Sequence, residues 1–337
     1  MQDNHEISRR TLLRAAAGSL SGLVAGNLLA GCSHANSSLS PSAGPDMFVT
    51  TYLGNTVDRY RVVGGGRRIS VTTGIGPGNN PPGSGAAGVL IGIDNDYWVC
   101  NRFQDSVGRY NIKDNTLRDT LQNVHAPHRA VIGNDKRLYV PSAGSYFGTG
   151  FGSDSIETFD ALTGAHIGTF AQINGPLALV WGSDNFLYAS SVRAPIVANP
   201  DQRITIDSSQ PNSDSIVRFD HTGQNRTVVV GNITTPFDFL FAPGGTLLIS
   251  EFLNNRIQRY DPATGQSLGT FASVTQPFGM TLGPDGDLYV STNTMILARE
   301  GNEGRVLRFD VNTGALKEAF VSNLSYAGYL TFNSPVL

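Results

Sequence analysis

The 337 residues carry 24 basic and 27 acidic side chains, a formal charge of −3, with a charged fraction of only 15% and 39 glycines. That balance excludes a nucleic-acid partner, because phosphate backbones require a basic stripe or interleaved basic and aromatic residues, and neither is present. Low charge with many glycine-bearing turns suits an all-β chain.

The elements begin with residues 1–31, which read as an export signal and take no part in the fold. Ser8-Arg9-Arg10-Thr11-Leu12-Leu13-Arg14 resembles the twin-arginine export signature, in which Arg9 and Arg10 are read by a receptor and the protein crosses already folded. The apolar stretch from Leu12 to Ala30 ends in Leu29-Ala30-Gly31-Cys32, which is similar to a bacterial lipobox and implies lipidation of Cys32. Asn27 and the interior glycines weaken the alternative of a membrane-spanning helix. One acyl chain holds a protein to a bilayer only marginally, whereas the two or three that the lipoprotein resemblance implies anchor it stably. Loss of Arg9, Arg10 and Arg14 against Asp3 and Glu6 moves the charge from −3 to about −4, too small to steer association. With Cys32 lipidated, Cys100 has no partner and no internal disulfide forms.

Residues 32–46 comprise that cysteine and a tether, SHANSSLSPSAGPD, too small and polar to pack. Its 14 residues reach roughly 45 to 50 Å stretched and about 20 Å as a coil. The expected address is the cell envelope, with the membrane as partner through the lipid. Ser33 in place of an aspartate favours the outer membrane where the host has two.

Residues 47–337 repeat a short strand closed by an aromatic residue: NTVDRY, DSVGRY, DSIETF, DSIVRF, NRIQRY and GRVLRF, ending at Tyr60, Tyr110, Phe159, Phe219, Tyr260 and Phe309. Each copy after the first follows a strand such as Leu187-Tyr188-Ala189-Ser190 or Leu288-Tyr289-Val290-Ser291. A turn such as Pro284-Asp285-Gly286 and a first strand such as Pro277-Phe278-Gly279-Met280-Thr281 precede that. A D-x-x-T-G turn, as in Asp160 to Gly164, Asp261 to Gly265 and Asp310 to Gly314, then leads to a fourth strand. Four strands per unit at a period of about 40 to 50 residues is a propeller blade. Met47-Phe48-Val49-Thr50 aligns with a second strand, and Ala327 to Phe332 reads as an inner strand with no followers. The two ends therefore complete one blade, which removes open edges and predicts a six-bladed β-propeller closed by its N- and C-terminal strands.

These units, with their P-D-G turn, L-Y-V-S strand and N-R-I-x-R-Y-D strand, resemble the NHL-repeat propellers and the related gluconolactonase and streptogramin lyase groups. The match is best over residues 235 to 320 and poorest over 175 to 233, where there is an insertion. The gluconolactonase resemblance implies calcium held by a Glu, an Asn and an Asp, with the Asp assisting water attack on an ester. Here Glu251 lies on a second strand rather than an inner one and no Glu-Gly-Pro motif appears, so only a few oxygen donors carry over. The lyase resemblance implies a His and Glu acid–base pair, for which His128 and Glu251 are the available residues, but seven blades are expected there.

The long segments Gly76 to Ala87, Ala143 to Gly152, Val192 to Asn212 and Asn293 to Glu303 all connect second to third strands or one blade to the next. They share one face above the channel mouth, where binding groups are usually carried. Second-strand ends are expected to put a polar ring there: Thr51, Asn101, Ser142, Ser191, Glu251 and Thr292, with Arg102 and Asn293 one step on. Inner strands add His128, Arg129 and Asp238. Asp238 and Glu251, with Asn101, are candidates to hold calcium; the alternatives are pairing with Arg102 or Arg129, or capping loop amides. The spacing of His125 and His128 admits metal ligation or, more simply, loop capping. Tyr146, Phe147 and Phe151 either form an apolar lip for a partner or sugar or staple their loop to the sheet. No G-x-S-x-G elbow or nucleotide loop is present. The favoured function is a tethered binding or scaffold module with an unknown small molecule or protein at the long-loop face; the alternative is a calcium-dependent lactonase or hydrolase.

Overall fold

A computed structural model describes residues 44–333 except 53, 64, 74, 76–84, 145–153, 194–195, 199–203, 207–213 and 294–302. Arg9, Arg10, Cys32, Tyr146, Phe147 and Phe151 lie outside the described residues.

Six four-stranded antiparallel sheets make six blades. Blade I contains β1 (Asp46–Thr51), β2 (Thr56–Arg61) and β3 (Arg67–Thr72). Blade II is β4 (Ala86–Ile91), β5 (Asp96–Asn101), β6 (Ser106–Asn111) and β7 (Leu117–Leu121). Blade III is β8 (Val131–Ile132), β9 (Arg137–Ser142), β10 (Ser155–Asp160) and β11 (His166–Gln172). Blade IV opens with β12 (Leu179–Trp181) and β13 (Leu187–Ser191). A small hairpin, β14 (Ile196–Ala198) with β15 (Ile204–Ile206), then intervenes before β16 (Asp214–Phe219) and β17 (Arg226–Ile233), which accounts for the poor repeat match there. Blade V is β18 (Pro236–Phe241), β19 (Leu247–Glu251), β20 (Arg256–Tyr260) and β21 (Ser267–Ser273). Blade VI is β22 (Pro277–Leu282), β23 (Leu288–Thr292), β24 (Glu303–Phe309) and β25 (Leu316–Ser325).

The last strand, β26 (Ala327–Phe332), returns to blade I as its inner strand in the order β26-β1-β2-β3, so the ring closes as the terminal sequences predict. Met47 pairs with Phe332 and Val49 with Leu330. Asp46 N donates to Asn333 Oδ1 at 2.8 Å, fixing the register at the seam.

Each sheet has apolar side chains on both faces because both faces meet another blade. Trp98 and Cys100 pack toward blade III while Tyr97 and Val99 pack toward blade I, and the alternation recurs around the ring. The D-x-x-T-G turns are built as their chemistry dictates: Asp160 Oδ1 accepts from Leu162 N at 2.9 Å and Thr163 N at 2.7 Å. Asp310 does the same for Asn312 and Thr313. The closing glycine has two reasons. Gly314 sits at φ 76°, and a Cβ on it would lie 2.2 Å from Phe271 O of blade V.

A second device sets where each inner strand starts. The Asp or Asn that opens an aromatic-closed strand accepts a hydrogen bond from a backbone N–H 21 residues later, at the lead-in to the next inner strand. Asp105 holds Ala126 N (2.8 Å), Asp154 holds Gly175 N (2.8 Å), Asp214 holds Thr235 N (2.7 Å) and Asn255 holds Gln276 N (2.9 Å). All four recipients have left-handed backbones, φ 42°, 47°, 46° and 43°. The side-chain acceptor satisfies a donor that this conformation turns away from any ladder, and it offsets the strain of a non-glycine residue there. Blade VI has Gly304 at the opening position. There Asn293 takes over, its amide donating to Ala327 O at 3.0 Å and accepting from Ala327 N at 2.9 Å. This residue, expected at the mouth, is a clamp on the closing strand.

Candidate functional site at the channel mouth

The strand ends that flank the long connections lie on one face, and the central opening on that face is filled. Tyr52, Tyr326 and Tyr329 of blade I, Ala87, Ala143, Leu177, Val192, Phe237, Phe252 and Phe278 form one buried cluster to which all six blades contribute. Phe237 and Phe278 rings lie 4.8 Å apart and Phe278 meets Tyr329 edge-on at 5.0 Å. Tyr329 Oη donates to Phe237 O at 2.7 Å, tying blade I to blade V past blade VI. The axis is therefore an aromatic plug and not the polar ring the strand ends suggest.

The expectation fails for a geometric reason. Successive side chains on a radial sheet face one neighbouring blade or the other, so neither parity looks straight down the axis. Thr51 bonds Thr56 Oγ1 at 2.7 Å, Ser142 Oγ accepts from His125 N at 2.8 Å and Ser191 Oγ donates to Asn174 O at 3.1 Å. Thr292 Oγ1 donates to Thr275 O. These contacts run sideways, to third strands and lead-in loops. Asn101 is 0% exposed on the same parity, and its amide makes no hydrogen bond among the described residues. The hydroxyls nearer the axis are one residue earlier: Thr50 donates to Ala87 O (2.6 Å) and Tyr329 O (3.1 Å), and Ser250 accepts from Asp238 N (2.8 Å). They rivet inner strands within and between blades.

His128 is 0% exposed within the plug, its ring 6.1 to 6.4 Å from those of Phe237, Phe278 and Tyr329. Burial first, and the Arg102 charge second, hold its pKa well below the ordinary imidazole value, so it stays neutral. His125, by contrast, is partly exposed with Nδ1 3.7 Å from Asp105 Oδ2. Arg102 donates to Tyr52 Oη and lies over the rings of Tyr52 (5.5 Å) and Phe103 (4.9 Å). Phe103 is 41% exposed, an aromatic surface beside the plug on the long-loop face.

Arg129 and Asp238 meet across the channel. Arg129 Nη1 donates to Asp238 Oδ1 and, at 3.3 Å, to Phe239 O, joining blade III to blade V past blade IV. Asp238 is 0% exposed and also accepts from Phe239 N (2.8 Å) and Met280 N (2.6 Å). Burial pushes its pKa up, and Arg129 is the largest opposing influence. Glu251, on the adjacent strand, is 1% exposed and faces blade IV with Ile249, on the other side of the sheet from Asp238. Its oxygens accept from Arg256 Nε (2.8 Å), Asn254 Nδ2 (2.8 Å) and Tyr260 Oη (2.8 Å). Asp238 and Glu251 thus share a blade without converging, and each of their four carboxylate oxygens already accepts a donor. Among the described residues no three His, Cys, Asp or Glu side chains are grouped to hold a metal.

No family model matches the chain, and no curated protein matches its sequence. Solved structures do. A chain of a nidogen/laminin complex matches with a TM-score of 0.61 at 13% identity, covering 87% of this chain and all of that one. A protein of unknown function from Bacteroides caccae matches at TM-score 0.60 and 10% identity over 86% of this chain and 98% of the other. A gluconolactonase-like protein matches at TM-score 0.52 and 15% identity over 71% of this chain and 77% of the other. The chain is a six-bladed β-propeller. At these identities the likeness reaches the fold and stops there.

Proposed function

We propose that this propeller is an exported, lipid-anchored binding module that engages a partner through its long-loop face. One observation carries the reading: the ionisable groups around the axis are taken up by internal contacts, between blades at Asp238 and within blade V at Glu251. Asp238 is bound by Arg129 and two backbone amides, Glu251 by Arg256, Asn254 and Tyr260, and His128 is enclosed by aromatic rings. Among the described residues, what faces outward there is the Arg102–Phe103 surface, an arginine over an aromatic ring, the residue types enriched in recognition faces. Cys32 with the twin-arginine-like residues Arg9 and Arg10 supports export and anchoring to the envelope. A propeller from a nidogen/laminin complex among the structural neighbours is consistent with a binding role.

Photo-crosslinking residues placed at Phe103 and at Leu253, which is half-buried against the aromatic plug, test this directly in the full chain in its own envelope. The expected result is a discrete crosslinked partner from these positions, with no calcium bound to the purified protein and no chelator-sensitive lactone hydrolysis. Stoichiometric calcium that disappears in both Asp238→Asn and Glu251→Gln, together with lactone turnover, would replace the binding reading by the hydrolase one.

A further inference from the structure

The chain leaves the propeller on the face opposite the long loops. A second strand, β1, begins there at Asp46, and the inner strand β26 finishes there at Phe332, so the first described residues, Gly44 and Pro45, enter the propeller from the short-turn face. The same half of the molecule holds eight of the ten large apolar side chains that are exposed among the described residues. Val63 (68%), Ile93 (45%) and Leu162 (48%) stand in its turns. Every outer strand but β3 adds an aliphatic residue within its first three positions, as do Leu268 (54%) and Leu316 (57%). Each blade contributes at least one, which makes a discontinuous rim and not a single patch. Scattered apolar residues alone need no explanation, but a rim repeated by all six blades around the point of chain exit does.

We propose that this short-turn face rests on the bilayer surface, with the aliphatic rim at headgroup depth and the long-loop face turned away from the membrane. The inference rests on the anchor reading at Cys32. A 14-residue tether with a coil dimension of about 20 Å keeps the face at an effective concentration on the order of millimolar at the surface. Contacts too weak to bind a membrane from solution are then sufficient to fix an orientation. Several charges of this face are paired, Arg109 with Asp94 and Asp96, Arg308 with Asp285 and Asp287, and Lys317 with Asp287, while Asp160, Asp220 and Asp261 in its turns are held by threonine and backbone donors, so the aliphatic rim and not charge makes the contact.

The full lipidated chain, reconstituted in phosphatidylethanolamine and phosphatidylglycerol vesicles, provides the test. Single-cysteine variants Leu162→Cys, Leu316→Cys and Phe103→Cys are labelled with a fluorophore; Cys100 is buried, and burial pushes its thiol up to about 12, so it does not compete for label. Headgroup-nitroxide lipids should quench labels at 162 and 316 several-fold more than the label at 103. Joint replacement of Val63, Ile93 and Leu268 by aspartate in the labelled variants should abolish the difference while the protein still floats with the vesicles. Flotation with equal quenching at all three positions, or quenching strongest at 103, overturns the orientation alone. Failure to float removes the anchor and the orientation with it, and quenching that depends on protein density and not on nitroxide assigns the rim to a second copy instead.

Discussion

Arg129→Met removes the cation from the pair that crosses the channel and leaves Asp238 fully buried without its counter-charge. Breaking a buried pair from one side typically costs about 3 to 5 kcal/mol. Asp238 keeps two backbone donors, Phe239 N and Met280 N, so the lower end, about 3 kcal/mol, is expected. At the roughly 2 to 4 °C per kcal/mol typical of large domains, the melting temperature should fall by about 6 to 12 °C. The loss depends on pH in a defined direction. Burial raises the Asp238 pKa and Arg129 opposes that, so the variant carboxyl moves higher still. Between the unfolded value and this raised folded value, the native state holds the extra proton. Stability of the variant therefore falls as pH rises through that window, and the penalty is complete above it. Circular dichroism melts at pH 5 and pH 8 should show a smaller gap to wild type at pH 5. Asp238→Asn strands a guanidinium that cannot lose its proton, and its deficit should change little with pH. The double variant should be more stable than the two single losses predict when added. Strict additivity, with each single loss under about 1 kcal/mol, would refute the claim that this pair spans the axis.

Asn293→Ala should release the closing strand, costing about 2 kcal/mol for two lost hydrogen bonds to Ala327, and limited proteolysis should then cut near residue 327 before any other blade. Ala126→Gly should leave stability unchanged or raise it by up to about 1 kcal/mol, because Ala126 at φ 42° carries a strain glycine lacks; a fall in denaturant midpoint would contradict the strained lead-in. Cys100 is enclosed between blades II and III and its thiol is pushed up to about 12, so a disulfide-exchange reagent at pH 8 should label it only at the rate of unfolding.

The blades were readable because their signals are local. Alternation, P-D-G and D-x-x-T-G turns and the aromatic strand ends each follow from neighbours within a few residues. Closure was readable because Met47-Phe48-Val49 lacks a preceding strand and Ala327 to Phe332 lacks a following one. The channel was not, because its contacts join distant residues: Arg129 with Asp238, Tyr329 with Phe237 and Asn293 with Ala327 cross blade boundaries that no sequence spacing encodes. The polar ring was placed one register step from the inter-blade hydroxyls, Thr50 and Ser250, since strand parity says which sheet face a side chain takes but not that neither face is the channel. One missed device did leave a signal. The Asp or Asn opening DSVGRY, DSIETF, DSIVRF and NRIQRY precedes each left-handed lead-in by 21 residues, a regularity visible in the repeat itself.

β26 is both the seam of the ring and, through Tyr329, part of its plug. Deletion of residues 327–337 followed by addition of a synthetic peptide of residues 326–333 tests this most directly. The truncated chain should lose its single cooperative melt, and the peptide should restore it in proportion to occupancy, with a Tyr329→Phe peptide restoring less. A truncated chain that melts cooperatively at the wild-type temperature without peptide would contradict the account.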